Sequence, residues 1–172
     1  GRRLRGEGQA AVEAPPDRVW AMLLDPGTLK AVIPGCHDVV EVSATHFRAE
    51  VTLGIGPVKG RYRAEVILSD LDPPRAVTLG GSADGALGFG RGEGRVTLTP
   101  DGTGGTIVHY VYEAALGGKI ASVGGRLLDG AMRVVIGQFF ANLARAAGGS
   151  RRSGLGPSSL LSLLRRLFRR RS

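Results

Sequence analysis

The hydrophobic pattern of the chain changes period twice. Residues 2–14 read as a strand. Pro15 and Pro16 end it, and Asp17 stands near a helix start. Val19, Trp20, Leu23 and Leu24 fall at helical spacing, which predicts a short helix over about 16–23. The segment DPGTLKAVIPGC predicts a second short helix, Thr28–Val32, closed by Pro34-Gly35. The period then becomes two. Phe47, Ala49, Val51 and Leu53 alternate with polar residues, as do Tyr62, Ala64, Val66 and Leu68, and later Val96 and Leu98. These are half-buried antiparallel strands with one face to a core and one to water. GPVKG, DPPR and PDGTGG are the turns between them. A helical period returns from about 118 to 147, where Leu128, Met132, Val135, Ile136, Phe139 and Leu143 share one face.

The order is one strand, two short helices, about six antiparallel strands and one long helix. This predicts an α+β fold, a curved antiparallel sheet of about seven strands wrapped on the long C-terminal helix. One helix covers only part of a concave sheet, so an apolar cavity is expected between them. Its expected lining is Trp20, Phe47, Tyr62, Phe89, Tyr110, Phe139 and Phe140, with Leu128, Met132 and Val135 from the helix. Taken singly, each of these fits a solid core equally well; taken together they favour a pocket. The 28 glycines sit between short apolar runs, as turn residues do. GFGRGEG, 88–94, is followed by no helix and lacks the context of a phosphate loop. It reads as a flexible strand or hairpin bordering the cavity mouth.

Charge divides the chain. Its formal net charge is +8, yet residues 151–172 hold seven arginines and no acid, which leaves 16 basic and 15 acidic residues, or +1, for residues 1–150. A basic groove for nucleic acid is therefore not expected on the body. The tail is patterned. On a helical projection Leu160, Leu161, Leu163, Leu164, Leu167 and Phe168 fall within an arc of roughly 160°. Ser162, Arg165, Arg166, Arg169 and Arg170 occupy the opposite arc, and Ser158 or Ser159 can cap the start. This is the pattern of a basic helix lying in a membrane interface. Each arginine near an anionic surface contributes about 1 kcal/mol, roughly 5 kcal/mol for the five from Arg165 onward before salt screening. Docking on a partner protein is the competing reading. The expected organisation is a ligand-binding domain over 1–147, a flexible linker over 148–159 and a membrane-binding helix over 160–172.

Little else carries chemistry. Cys36 is the single cysteine and excludes an internal disulfide, which fits a reducing compartment. With His37, His46 and His109 it makes too thin a set for a metal site, and none is expected. Glu50, Glu65 and Glu93 hold polar positions of alternating strands, so a solvated sheet face is expected of them rather than acid–base chemistry. GRRLRG is followed by no apolar stretch of the kind a signal peptide needs, and no run approaches the roughly 20 apolar residues of a spanning helix. The expected location is the cytoplasm, peripheral on the inner face of the cell membrane.

VWAMLLDPGTLKAVIPGC, GPVKGRYRAEVILSDLDPP, GEGRVTL, GTGGTIVHYVYEAALGGKIASVGGRLLD and the late Phe139-Phe140 together resemble the carbon monoxide dehydrogenase G-subunit family, over roughly residues 6–145. That family is part of the START-like, helix-grip superfamily of ligand-binding domains. The N-terminal GRRLR is more basic than the family pattern and bears on no site. The resemblance implies an accessory, non-catalytic role beside an aerobic molybdenum-containing carbon monoxide dehydrogenase or a related hydroxylase, with members bringing the soluble enzyme to the membrane. Some members carry a C-terminal extension, as this chain does.

Three functions follow. The first is a membrane-recruitment adaptor with no covalent cofactor, holding a lipophilic small molecule in its cavity. A respiratory quinone, menaquinone or ubiquinone, suits an enzyme that must pass electrons to a membrane pool. The second is a helix-grip enzyme, cyclase-like or hydrolase-like, acting on a hydrophobic substrate. It needs a titratable group facing the cavity, and His109 and Glu113 are its candidates. The third is an assembly chaperone for the dehydrogenase.

Overall fold

The computed structural model describes residues 2–55 and 58–155. Its elements run β1 (Arg2–Val12), α1 (Pro16–Leu23), α2 (Pro26–Val32), β2 (Cys36–Ser43), β3 (His46–Ile55), β4 (Val58–Asp72), β5 (Ala76–Gly85), β6 (Gly88–Pro100), β7 (Thr106–Gly117), a 3-10 helix (Lys119–Val123) and α3 (Gly125–Leu155). The seven strands form one antiparallel sheet in the order β1-β7-β6-β5-β4-β3-β2. From β2 to β7 each strand pairs with the next in sequence. The exception is the step from β1 to β2, which crosses from one sheet edge to the other and carries α1 and α2 with it.

Local chemistry sets the boundaries. Pro16 opens α1, where a missing backbone N–H costs nothing. α2 begins two residues before the expected Thr28. Asp25 caps it, accepting from Thr28 N and Thr28 Oγ1 at 2.8 Å each, and Pro26 follows in the first turn. The long helix starts later than the expected 118, because Gly118 (φ 79°) and Gly124 (φ 110°) hold backbone angles that no right-handed helix contains. Between them lies the 3-10 turn. At its other end α3 runs to Leu155, past the expected 147. Residues 156–172, and with them the expected tail helix 160–172, lie outside the described residues.

The inner face of the sheet carries the expected alternation in β3 and β4. Phe47 pairs across with Val66, Ala49 with Ala64, and Val51 with Tyr62. The outer face is a charged ladder, as expected for Glu50 and Glu65. Glu65 meets His46 at 2.7 Å and Arg48 at 3.9 Å, Glu50 meets Arg61 at 3.3 Å, and Glu113 lies 3.7 Å from Arg3 and 3.9 Å from Arg5.

One expectation is corrected here. Most glycines from Gly80 to Gly94 belong to strands and not to turns, and of the two readings of GFGRGEG, 88–94, the strand is the one found. Gly80, Gly81 and Gly85 lie within β5, and Gly88, Gly90, Gly92 and Gly94 within β6. Both strands are central, with ladder partners on each side, and these neighbours supply the order that glycine alone does not favour.

The buried side chains form three clusters. One gathers Val12, Ala14, Val19, Val32, Leu98, Val108, Leu143 and Ala147, where α1 and α2 meet the C-terminal part of α3. A second gathers Leu4, Val51, Tyr62, Ile120 and Leu128 around the start of α3. A third, Phe47, Leu68 and Val77, lies on the inner face of β3, β4 and β5.

A candidate ligand cavity between sheet and helix

α3 is held at its two ends. Leu128 is 1% exposed and Leu143 is fully buried. The two are 15 residues apart, about 22 Å along a helix. Between them Met132, Val135, Ile136, Phe139 and Phe140 turn inward and are only half buried. The backbone of α3 runs beside β1 and also comes near β3, toward the other side of the sheet, and its side chains reach β6 at Leu98 and β7 at Val108 and Tyr110.

Part of the inner face of β5 and β6 carries few side chains. Register fixes the rows of its inner face. Leu79 is followed across the strands by Gly94, Tyr112 and Gly6; the next row is Val66, Gly81, Gly92, Ala114 and Leu4; the next is Ala64, Ala83, Gly90 and Leu116. Four of these positions on β5 and β6 are glycine and one is alanine. Gly81, Ala83, Gly90, Gly92 and Gly94 are all half exposed, although they belong to central strands.

The structure separates the ten expected lining residues into three groups. Val135 and Tyr110 are half-buried on the inner side and belong to none of the three clusters, whereas Met132 packs against the second cluster and Phe139 and Phe140 against the first. Tyr110 stacks on Phe140, with ring centroids 5.3 Å apart and 14° between planes, and Phe139 meets Phe140 edge-on at 5.0 Å. Phe47, Tyr62 and Leu128 are buried in the packed clusters that bound the space, and Trp20 packs from α1 against two of those clusters. Phe89 is a correction. It is 46% exposed on the outer face, with its ring over Gly117. Strand alternation is the reason: Gly88, Gly90, Gly92 and Gly94 take the inner positions of β6 and turn Phe89, Arg91 and Glu93 outward.

Tyr112 lines the space too, although hydrophobic alternation alone does not single it out. It stands two residues from Tyr110 on the same face of β7. Burial pushes its phenol upward, and Asp129 of α3 adds to the shift. Burial alone raises Tyr62. The signal for the glycine floor is present in the sequence, because GFGRGEG places glycine at every second position, the period of a strand face.

Other chemistry lies elsewhere. His109 and Glu113, the candidates of the enzyme reading, are both exposed on the outer face of β7, away from the interior. Cys36 and His37 are not directed at a common point. The Cys36 thiol donates to the Asp38 carbonyl at 3.4 Å and is pushed upward by burial, while His37 Nε2 lies 2.6 Å from Thr52 Oγ1. Among the described residues no three His, Cys, Asp or Glu side chains gather as a metal site would require. An open outer-face groove of about 280 Å³ includes Asp70, Thr78, Glu93 and Arg95. Its Arg95 is engaged with the Asp70 carbonyl at 3.1 Å and Thr78 Oγ1 at 2.9 Å. No helix of the described residues is long and apolar enough to cross a membrane.

The sequence model of the carbon monoxide dehydrogenase G subunit (CoxG) matches residues 8–148. The chain belongs to that family. Among solved structures it is similar to a conserved protein from Geobacillus kaustophilus, at 33% identity and a TM-score of 0.81, over 86% of this chain and 97% of that one. It also shares its fold with the ZhuI aromatase/cyclase from Streptomyces sp. R1128, at 14% identity and a TM-score of 0.65, over 86% and 94% of the two chains. A START superfamily protein from Mycobacterium smegmatis gives 11% identity and a TM-score of 0.65, over 84% and 97%. No curated protein matches the chain significantly. CoxG membership and the START-like neighbours agree with the helix-grip architecture expected from the alternation of periods.

Proposed function

We propose that this CoxG family member is a non-enzymatic adaptor for an aerobic molybdenum-containing carbon monoxide dehydrogenase or related hydroxylase. It rests on the anionic inner face of the membrane through residues 160–172. It carries a lipophilic molecule, a respiratory quinone of the menaquinone or ubiquinone kind, between α3 and the sheet, and so links a soluble enzyme to membrane electron transport. The observation that carries this reading is the half-buried middle of α3 above a glycine floor. Apolar side chains left against a bare wall forgo burial worth about 25 cal/mol per Å², and an apolar ligand restores it. A quinone gains in the same way, because its chain must be shielded from water outside the bilayer. The tail pattern supplies the place, since an arginine-rich face opposite leucines suits an anionic interface.

Flotation tests both halves. Phosphatidylglycerol vesicles loaded with menaquinone are mixed with the whole chain or with a chain ending at Leu155, which keeps α3 entire. The whole chain should float and the shortened chain should stay in solution. Protein recovered free of vesicles should carry menaquinone detectable by mass spectrometry. Equal flotation of both chains overturns the tail's role, and protein free of quinone overturns the carrier.

A further inference from the structure

The bare stretch of the inner wall has a shape. Gly92 and Gly94 are consecutive inner positions of β6, and Gly81 of β5 pairs with Gly92. Together they make a floor about 7 Å along the strands and about 5 Å across, close to the footprint of one six-membered ring. Glycine on a packed sheet face usually marks a place where another backbone approaches closely. Gly92 fits that rule, since a Cβ there would meet the Glu113 carbonyl oxygen at 2.9 Å, but Gly81 and Gly94 have more room. A Cβ on Gly81 would find one atom within 4 Å, the Glu65 carbonyl oxygen at 3.5 Å; on Gly94 it would find Val111 O at 3.2 Å and Tyr112 Cβ at 3.7 Å. No atom of α3 comes within that reach of either glycine. The glycines keep a flat area clear.

Tyr112 borders this area. It pairs with Gly94 on one side and Gly6 on the other. A Cβ on Gly6 would collide with its ring, at 2.5 Å from Oη and 2.6 Å from Cζ, so the ring leans across β1. Tyr110 leans over Gly8 in the same way, and Phe140 stacks on its face. Among the described residues no aromatic ring stacks on Tyr112. Two neighbouring tyrosines thus lean over two glycines of β1, one with an aromatic partner from the helix and one without.

We propose that Tyr112, with Gly81, Gly92 and Gly94, is the seat for a flat ring at the head of the ligand. The ring lies against Tyr112 as Phe140 lies against Tyr110, and the aliphatic part of the ligand runs along the apolar middle of α3. The inference rests on the lipophilic-ligand reading above and sharpens it, because the seat selects ring-headed lipids over plain acyl chains.

Uptake of two probes by the whole chain tests it, decylubiquinone with a ring and palmitate without one. Tyr112→Leu should weaken decylubiquinone by about tenfold, the scale of a lost aromatic pair, and palmitate by less than about twofold. Gly81→Val places methyl groups on the clear floor. It should melt at or above the wild-type temperature, since valine suits a strand better than glycine, yet exclude decylubiquinone. If the wild type takes up decylubiquinone and both variants match it within about twofold, the seat is wrong and the ligand reading stands. Equal losses of both probes in Tyr112→Leu also overturn the seat. If the wild type takes up neither probe, the seat and the reading beneath it fall together.

Discussion

The ends of α3 and its middle are made from similar residues but meet different partners. At one end Leu128 packs among Leu4, Tyr62 and Ile120; at the other Leu143 packs among Val12, Leu98 and Val108. Between them the half-buried Val135 and Ile136 join none of the three clusters, while Met132 packs against the first of these ends and Phe139 against the second. Periodicity says which side of a helix turns inward. Whether that side meets a packed wall or a bare one is decided on the strands opposite. The comparison also separates stability from function: the ends hold the helix to the sheet, and the middle leaves room.

The largest expected effect is on the contrast itself. Leu128→Ala and Leu143→Ala should each cost about 2–5 kcal/mol in urea unfolding, because both leave a cavity in a packed cluster. Val135→Ala should cost less than about 1.5 kcal/mol, because Val135 is half-buried outside the packed clusters. Similar losses at ends and middle would erase the distinction. A smaller effect is expected beside the Leu143 cluster. There Thr106, fully buried, donates its hydroxyl to the Ala14 carbonyl at 2.6 Å. Thr106→Val keeps the shape and orphans the carbonyl, so about 1–3 kcal/mol should be lost in the same measurement. A neutral result would show that this end is less tightly closed than its burial indicates.

The smallest effect lies at the surface turn leading into β7. Asp101 accepts from Thr103 N at 2.7 Å, Thr103 Oγ1 at 2.9 Å and Gly105 N at 2.9 Å, which holds its carboxyl below the ordinary value of 3.8. Folding therefore favours the ionised form. Its stabilisation is complete above the unfolded value and is lost as pH falls through the lower folded one. Melting temperature should drop as pH falls below about 4. Asp101→Asn should flatten part of that drop and leave the middle of α3 untouched.

The register of the sheet explains what was and was not legible. Strands β3 and β4 announce themselves because Phe47, Val51, Tyr62 and Val66 alternate with charges, and one buried face produces such a pattern. In β5 and β6 glycine takes the inner positions 81, 90, 92 and 94, so hydrophobicity carries no period across that stretch, and the alternation of glycine in GFGRGEG is the one local sign of a strand face. The same replacement hides Phe89, whose face is fixed by its glycine neighbours. Tyr112 is hard to single out because its ring is bounded by Gly6 and Gly94, residues about 100 and 20 positions away in the chain.

The sequence by itself determined the kind and order of the elements, the charged outer face, the division of charge between body and tail, and the inward stripe of α3. These follow from local propensity and period, which depend on residues a few positions apart. Only the tertiary structure decided that Leu128 and Leu143 are fully enclosed while Val135 and Ile136 between them are half-buried, that Gly81, Gly92 and Gly94 adjoin one another, and that Tyr110 is stacked while Tyr112 is not. Those facts depend on strand register across six ladders and on the path of one helix over a curved sheet. They set which side chains face each other at distances no local pattern encodes.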